Sequence, residues 1–262
     1  SVLEKWNPEL LWGDSSPVND WWRLQSGVLM KDPTASSVQA AWQWIAPTMR
    51  MAELFYTKNG LPIDEDNTYN YERRFGTTVV SNDKKNYARP GLRTAELHLN
   101  REPRFYTNIG FDSSEYRGWN ELWTLRMKKG QTHGRIANTS DYLITGFSLK
   151  KLVHPESEGD AYDKIIRYPW PNARLAELYL NYAEALNEAY GPSQAVYDAL
   201  NVVRVRAGIP DVEVVWSDGS LAKTLNKHTT QSGLREIIRQ ERMIELAFEG
   251  LRYNDIRRWK LA

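Results

Sequence analysis

The stretch from residue 241 to residue 259, "ERMIELAFEGLRYNDIRRW", decides how the end of this chain folds. Ile237 lies four residues before Glu241 and Ile244 lies three residues after it, so the three side chains share one face of a helix. That face is apolar and is expected to enter a core. Glu241 is therefore predicted to be a buried carboxylate, and burial of an unpaired charge is costly enough to require an arginine or backbone donors beside it.

The charges around Glu241 alternate in sign, which is typical of an ion-pair network, whereas a nucleic-acid site would show one sign. Asp255 is placed to pair with Arg252 or Arg258. Three arginines upstream could reach Glu241: Arg174, Arg204 and Arg206. The predicted structural network comprises Arg174, Arg204, Glu241, Arg242, Glu245 and Asp255. Because arginines surround these carboxylates, we expect them to stay ionised and immobile, which disfavours acid/base catalysis here.

Two helices are predicted upstream, joined by a short link into a hairpin of the tetratricopeptide (TPR) type. The first, within residues 172–192, ends at Gly191-Pro192, and the second, within residues 193–210, ends at Gly208. The apolar stripe of the first helix is Leu175, Tyr179, Tyr182 and Leu186. The stripe of the second is Val196, Leu200, Val203 and Ala207. Small residues allow the two helices to approach closely: Ala176, Ala183, Ala185, Ala195 and Ala199.

A third helix contains Glu241, and Gly250 is expected to break it. Its apolar stripe is Leu234, Ile237, Ile238, Ile244 and Phe248.

Composition limits the function of the whole chain. Its 262 residues carry 34 Lys and Arg against 33 Asp and Glu, so no overall field draws in a polyanion, and nucleic-acid binding is disfavoured. There is no cysteine, which removes disulfides and sulfur-ligated zinc, and the four scattered histidines give no zinc pattern. No signal peptide is recognisable, and no apolar run approaches the length of a membrane span. We expect an ordered globular domain with no metal and no cofactor.

One domain over residues 1–262 is predicted, in three parts. Residues 1–59 are expected to form a mostly helical entry, with a break or bend at Pro47. Residues 60–170 are rich in turns and short β-like runs, beginning at Asn59-Gly60, and long irregular segments commonly carry function. Residues 171–262 form the helical scaffold.

Six segments of the chain resemble signatures of one family. Three lie in the scaffold: "RLAELYLNYAEALNE", "ALNVVRVRAGIP" and "LREIIRQERMIELAFEGLRYNDIRRW". Three lie upstream: "APTMRMAELFYTKNGLPIDED", "LNREPRFYTNIGF" and "TGFSLKKLVHP". In order and spacing they resemble the SusD/RagB family of outer-membrane nutrient-binding lipoproteins. The chain departs from the family at Glu102, where Asp is frequent, and the match resembles the carboxy-terminal two-thirds of a member.

The resemblance implies a mainly α-helical, SusD-like fold: TPR-like helix pairs, long irregular loops and a few short β-strands. It also implies a surface-exposed lipoprotein of Bacteroidetes that captures glycan, without enzymatic activity, for a SusC-like TonB-dependent transporter. Residues 60–170 would then face ligand and transporter. Attachment to the outer membrane would depend on a lipid anchor in the amino-terminal part of the parent protein, which this chain lacks.

Sugars offer apolar C–H faces to aromatic rings and hydroxyl groups to polar side chains, so a glycan site needs both kinds of residue together. The eleven Trp and fourteen Tyr residues suit such a surface. The stronger candidate cluster is Tyr116, Arg117, Trp119, Asn120 and Trp123. A second cluster is Tyr69, Tyr71 and Arg73.

Two alternatives stay open from the sequence. One is capture of peptides or glycoproteins, which should depend on charge and backbone donors rather than ring stacking. The other is a glycan hydrolase that uses two separated carboxylates. The candidates for that pair are Asp64 or Glu65 with Asp112 or Glu115.

Overall fold

The computed structural model describes residues 7–14, 43–118, 121–135, 142–151, 153–157 and 165–261, with backbone only for residues 117, 118 and 121. Over these ranges the fold is mainly helical, with short two-stranded sheets and irregular segments, as the sequence predicts. The helices are α1 (Met49–Leu54), α2 (Pro103–Asn108), α3 (Leu175–Tyr190), α4 (Gln194–Arg206), α5 (Val212–Ser217), α6 (Gln231–Glu245) and α7 (Arg252–Arg258).

The strands are short and pair antiparallel. They are β1 (Leu10–Asp14), β2 (Thr77–Val79), β3 (Arg93–Ala95), β4 (Ile109–Gly110), β5 (Glu115–Gly118), β6 (Glu121–Thr124), β7 (Ser148–Leu149) and β8 (Trp170–Arg174). The pairs are β1 with β8, β2 with β3, β4 with β7 and β5 with β6. Strand β1 was not expected within the predicted helical entry. Most of that entry lies outside the described residues, and α1 begins after Pro47, where the Thr48 hydroxyl accepts from the Met51 N–H.

Helices α3 and α4 form the predicted hairpin. Helix α3 ends at Gly191, whose φ of +79° suits glycine, and whose N–H donates to the Asn187 carbonyl at 2.9 Å. The predicted stripe of α4 is confirmed, because its four residues are buried.

The predicted stripe of α3 is wrong. Tyr179 and Tyr182 are 38% and 54% exposed. The face that packs on α4 and α6 contains Ala176, Leu180, Ala183 and Asn187. Both sides of α3 carry apolar residues, and the alanine side faces its neighbours because small side chains let helix backbones approach closely.

Helix α6 buries Leu234, Ile237, Ile238 and Ile244 as predicted, but it ends at Glu245, before Gly250. Phe248 leaves the predicted stripe and takes a φ of +68°. The last carbonyl groups of a helix need donors from outside it. Here Lys151 Nζ donates to the carbonyl oxygens of Glu245 and Ala247 at 2.7 and 3.0 Å, which stabilises an early helix end.

The core has two main clusters, and α6 contributes to both. One lies under the irregular segments and includes Phe55, Phe105, Phe111, Phe147 and Ile244. The other lies between the helices and includes Leu180, Leu200, Trp216, Leu234 and Ile238. Helix α2 contributes Phe105 to the first cluster, as α6 contributes Ile244, so the buried face of α6 lies beside α2.

Candidate functional site

Arg104 joins helix α2 to the buried face of α6. Its guanidinium donates to Glu102 at 2.6 Å, to Glu241 at 2.7 Å and to Glu245 at 3.0 Å. Pro103 begins α2 and places the following Arg104 against α6. The sequence did not predict Arg104 in the network, and no local pattern could, because it lies 137 residues from Glu241. Glu102, which stands where the family frequently has Asp, accepts from Arg104.

Glu241 is fully buried and receives its second bond from Arg204, at 3.0 Å. Arg204 also donates to the carbonyl oxygens of Gly60 and Pro210, at 2.9 and 2.8 Å. The other two candidate partners, Arg174 and Arg206, bond Glu245 instead, one helical turn further on.

A second part of the network ties α7 to α6. Asp255 accepts from Arg242 at 2.8 Å and from Arg258, one of its two predicted partners, at 3.0 Å. The other predicted partner, Arg252, forms no ion pair with Asp255. Asn181 on α3 accepts a further bond from Arg242 at 2.6 Å. The six residues of the predicted network are therefore all engaged in buried or half-buried ion pairs.

Neighbouring cations hold the carboxylates of Glu245 and Glu249 in the charged form. Burial acts to raise the pKa of Glu245, but Arg174 and Arg104 outweigh it and hold that pKa well below its usual range. The pKa of Glu249 is also lowered, because Lys151 and Arg174 outweigh the effect of its burial. Charged carboxylates locked between cations suit a scaffold and are poor general acids.

The first predicted ligand cluster lies on the β5–β6 hairpin. Tyr116 is buried, and burial raises its pKa. Opposite it across the strands, Trp123 packs half-buried against the small cluster that contains Leu125. Trp119 and Asn120 lie outside the described residues, and only the backbone of Arg117 is described. The structure therefore brings Tyr116 and Trp123 together as packing partners.

The second predicted cluster surrounds a short 3₁₀ turn, Tyr71–Arg73. Burial raises the pKa of Tyr69, which packs against the first core cluster. The Arg74 guanidinium lies 3.8 Å from the centroid of the Tyr71 ring and covers that face. Arg73 is exposed and pairs with Glu96 at 3.2 Å. These residues are neighbours, but they present little free ring surface.

A cavity of about 880 Å³ opens between α2, the β5–β6 hairpin and the residues just before β1, and Lys150, Lys151, Val153 and Pro155 also line it. Pockets that hold small ligands are commonly about 300–1,000 Å³. Its aromatic and polar lining includes Asn86, Tyr87, Arg104, Tyr106, Thr107, Asn108, Tyr116 and Lys150. Of the predicted ligand residues, Tyr116 borders this cavity.

Two tyrosines form one wall of the cavity. Tyr87 and Tyr106 stack with ring centroids 4.1 Å apart and an interplanar angle of 13°. Tyr106 is buried, whereas Tyr87 is 39% exposed. Backbone bonding holds Tyr87 in place, because its carbonyl oxygen accepts from the Glu115 N–H at 3.0 Å. Since one ring covers the other, a single face of Tyr87 is left for a ligand.

Lys150 supplies a cation to the same cavity. Its Nζ donates to the carbonyl oxygens of Tyr106 at 2.7 Å and Glu115 at 3.2 Å. Burial lowers the pKa of Lys150 to about 8, and Glu115 acts against that shift. Tyr87, Tyr106 and Lys150 were not predicted as site residues, since they lie far apart in sequence and share no motif.

The described ranges contain neither a metal-binding cluster nor a membrane-spanning helix. No group of three or more His, Asp or Glu side chains there could hold a metal ion. No helix within them is long and apolar enough to cross a membrane.

Comparison with known proteins identifies the family. The family model described as "SusD family" matches residues 8–262, so the chain belongs to the SusD family. The curated "SusD-like protein P2" of Formosa agariphila is 40% identical over 89 residues, which are 34% of this chain and 16% of that protein.

Two solved structures show the same fold. The structure of "BT4246" has a TM-score of 0.74 at 30% identity over 97% of this chain and 40% of its own. A "SusD-like carbohydrate binding protein" (BF0978) of Bacteroides fragilis has a TM-score of 0.59 at 25% identity, covering 84% of this chain and 36% of its own. The chain thus spans about two-fifths of these solved relatives, less than the two-thirds expected from the sequence.

Proposed function

We propose that this chain is part of a cell-surface protein that binds oligosaccharide or polysaccharide and delivers it, uncleaved, to a SusC-like TonB-dependent transporter. Family membership supports this assignment, and one relative is described as a carbohydrate-binding protein. The observation that carries it is the 880 Å³ cavity with the half-exposed ring of Tyr87 at its wall.

The lining of the cavity has the chemistry that sugars require. The free face of Tyr87 offers a surface for the C–H groups of a pyranose ring. Asn86, Thr107 and Asn108 lie at the same cavity and carry amide and hydroxyl groups that exchange hydrogen bonds with sugar hydroxyls. Apolar and polar contacts thus converge on one volume.

The state of the carboxylates supports binding without cleavage. Glycoside hydrolases use a pair of Asp or Glu side chains on either side of the scissile bond. Three glutamates line the cavity, but Glu245 is held by Arg174 and Arg104, and Glu9 is paired with Arg206. Within the described part of the chain Glu115 forms no ion pair, and a single carboxylate does not make the usual catalytic pair.

Two of the four carboxylates that the sequence offered for a hydrolase pair, Glu65 and Asp112, are also engaged in ion pairs. Glu65 pairs with Lys227 at 2.5 Å, and Asp112 pairs with Lys128 at 3.1 Å. Asp112 also accepts from the Met127 N–H at 2.9 Å.

The remainder of the proposal concerns placement in the cell. The loop-rich residues 60–170 provide the ligand- and transporter-facing surface, and the helices of residues 171–262 support it. Arg117, Trp119 and Asn120 belong to the proposal as further ligand-binding residues on the strength of the sequence. The parent protein is anchored at the outer-membrane surface through lipid on its amino-terminal part.

Affinity electrophoresis of the chain in gels containing plant, host or microbial polysaccharides tests this function. Retardation by at least one polysaccharide is expected, with none in a plain gel. Retardation by glycoprotein or peptide but by no free glycan would favour the peptide-binding alternative and reject the proposal.

A further inference from the structure

The cavity beside α2 has an unusual charge arrangement at Lys150. The other cations that line it have carboxylate partners: Arg104, Lys151, Arg174 and Arg206 all form ion pairs with glutamates. Among the residues that the structure describes, no carboxylate lies within ion-pair distance of Lys150 Nζ. Its two acceptors are the carbonyl oxygens of Tyr106 and Glu115.

An ammonium group has three N–H donors, and two carbonyl oxygens and the Tyr116 ring, whose centroid lies 5.8 Å from Nζ, leave Lys150 with a donor that no polar atom of the described residues accepts. Glu115 acts on this buried cation only from beyond ion-pair distance, so an anion in the cavity would supply a closer counter-charge. Arg104 adds a second donor to the same lining, because its buried Nη2 has no acceptor in the described part of the chain. The two cations thus present unused donors at a volume that also contains an exposed tyrosine face.

From this arrangement we infer that the cavity binds a carboxylate-bearing sugar, a hexuronic acid unit, with its carboxylate on Lys150 and its ring against Tyr87. The inference rests on the proposed glycan-binding function and names its substrate class. A carboxylate supplies a counter-charge at ion-pair distance, and charge-assisted hydrogen bonds to it are about twice as strong as neutral ones. A neutral sugar would leave Lys150 without a carboxylate in direct contact.

Calorimetric titration with matched probes tests the inference. The probes are hexamers of galacturonate and of mannuronate, the methyl esters of both, and a neutral galactan hexamer. We expect at least one uronate hexamer to bind about tenfold or more tightly than its own methyl ester, the effect of a hydrogen bond to a charged group. Tighter binding of a sulfated galactan hexamer would overturn the carboxylate assignment.

Variants separate the site from general charge effects. Lys150→Gln should weaken uronate binding at least tenfold and leave ester binding nearly unchanged, whereas Lys150→Arg should retain part of the preference. Lys129→Gln, an exposed lysine outside the cavity, is the matched control and should bind as the parent does. Thermal melts of each variant confirm folding before titration.

A second readout locates the ligand without a substitution. Amine acetylation followed by peptide mass spectrometry should show that the uronate hexamer slows modification of Lys150 and not that of Lys129. If neutral glycans bind, and Lys150 is neither protected nor needed, the uronate inference is wrong while the proposed glycan binding stands. If no glycan of any kind binds, the proposed function fails first.

Discussion

Replacement of Glu241 by alanine should destabilise the fold more than removal of other glutamates does. Glu241 is fully buried and accepts from Arg104 at 2.7 Å and from Arg204 at 3.0 Å. Each hydrogen bond to a charged group contributes about 1.5–3 kcal/mol, and breaking a buried ion pair costs about 3–5 kcal/mol because the partner stays buried and charged. We therefore expect Glu241→Ala to lower the free energy of unfolding by about 3–5 kcal/mol.

For a chain of this size, that loss corresponds to a fall in Tm of about 6–20 °C, at about 2–4 °C per kcal/mol. The assay is urea unfolding followed by circular dichroism, with a thermal melt in parallel. Glu188→Ala is the matched control. Glu188 on α3 forms a bidentate pair, at 2.5 and 2.6 Å, with Arg235 on α6, the helix that carries Glu241, but the Glu188 side chain is 40% exposed. Its loss should cost less than about 1 kcal/mol. Equal stability of the two variants would refute the buried-pair reasoning.

Three further predictions concern other parts of the chain. Burial lowers the pKa of His98 from 6.5 to about 3. Below pH 6.5 the unfolded chain therefore binds a proton at His98 that the folded chain does not bind, and the free energy of unfolding should fall as the pH drops. Between pH 6.5 and 5 the free energy of unfolding should fall by about 2 kcal/mol. His98→Phe should reduce this pH dependence in urea unfolding experiments, and an unchanged pH dependence would exclude His98 as its source. Gly60 has a φ of +74°, and an added Cβ would lie 2.6 Å from Arg204 Nη2. Gly60→Ala should therefore lower the free energy of unfolding by about 1–3 kcal/mol, and wild-type stability of the variant would contradict the predicted backbone strain. Trp119→Ala should weaken retention in polysaccharide gels with an unchanged melt, whereas collapse of the fold would make that ring part of the core.

The scaffold could be predicted from the sequence because its signals are local. Gly191 and Gly208 mark the helix ends, and the spacing of Ile237 and Ile244 around Glu241 predicts a buried carboxylate. The inward face of α3 could not be predicted in the same way, because both sides of that helix carry apolar residues. In the folded chain, packing against α4 and α6 buries the alanine side of α3.

The cavity could not be predicted, because its residues come together only through long-range contacts. Lys150 reaches a carbonyl oxygen 44 residues earlier, and Arg104 reaches Glu245 across 141 residues. The sequence singles out Tyr116 because aromatic and polar residues cluster around it. Its neighbour at the cavity, Tyr87, has no other aromatic residue within ten positions, and Tyr106 lies in a segment that resembles a scaffold signature of the family.

Capture of glycan without cleavage is the central claim, and one titration tests it most directly. The polysaccharide that retards the chain most strongly is digested to oligosaccharides and titrated into the protein in a calorimeter, and the ligand is then recovered and sized by chromatography. The account predicts saturable heat and oligosaccharides of unchanged length. Shortened oligosaccharides, or the absence of saturable heat with any glycan, would contradict it.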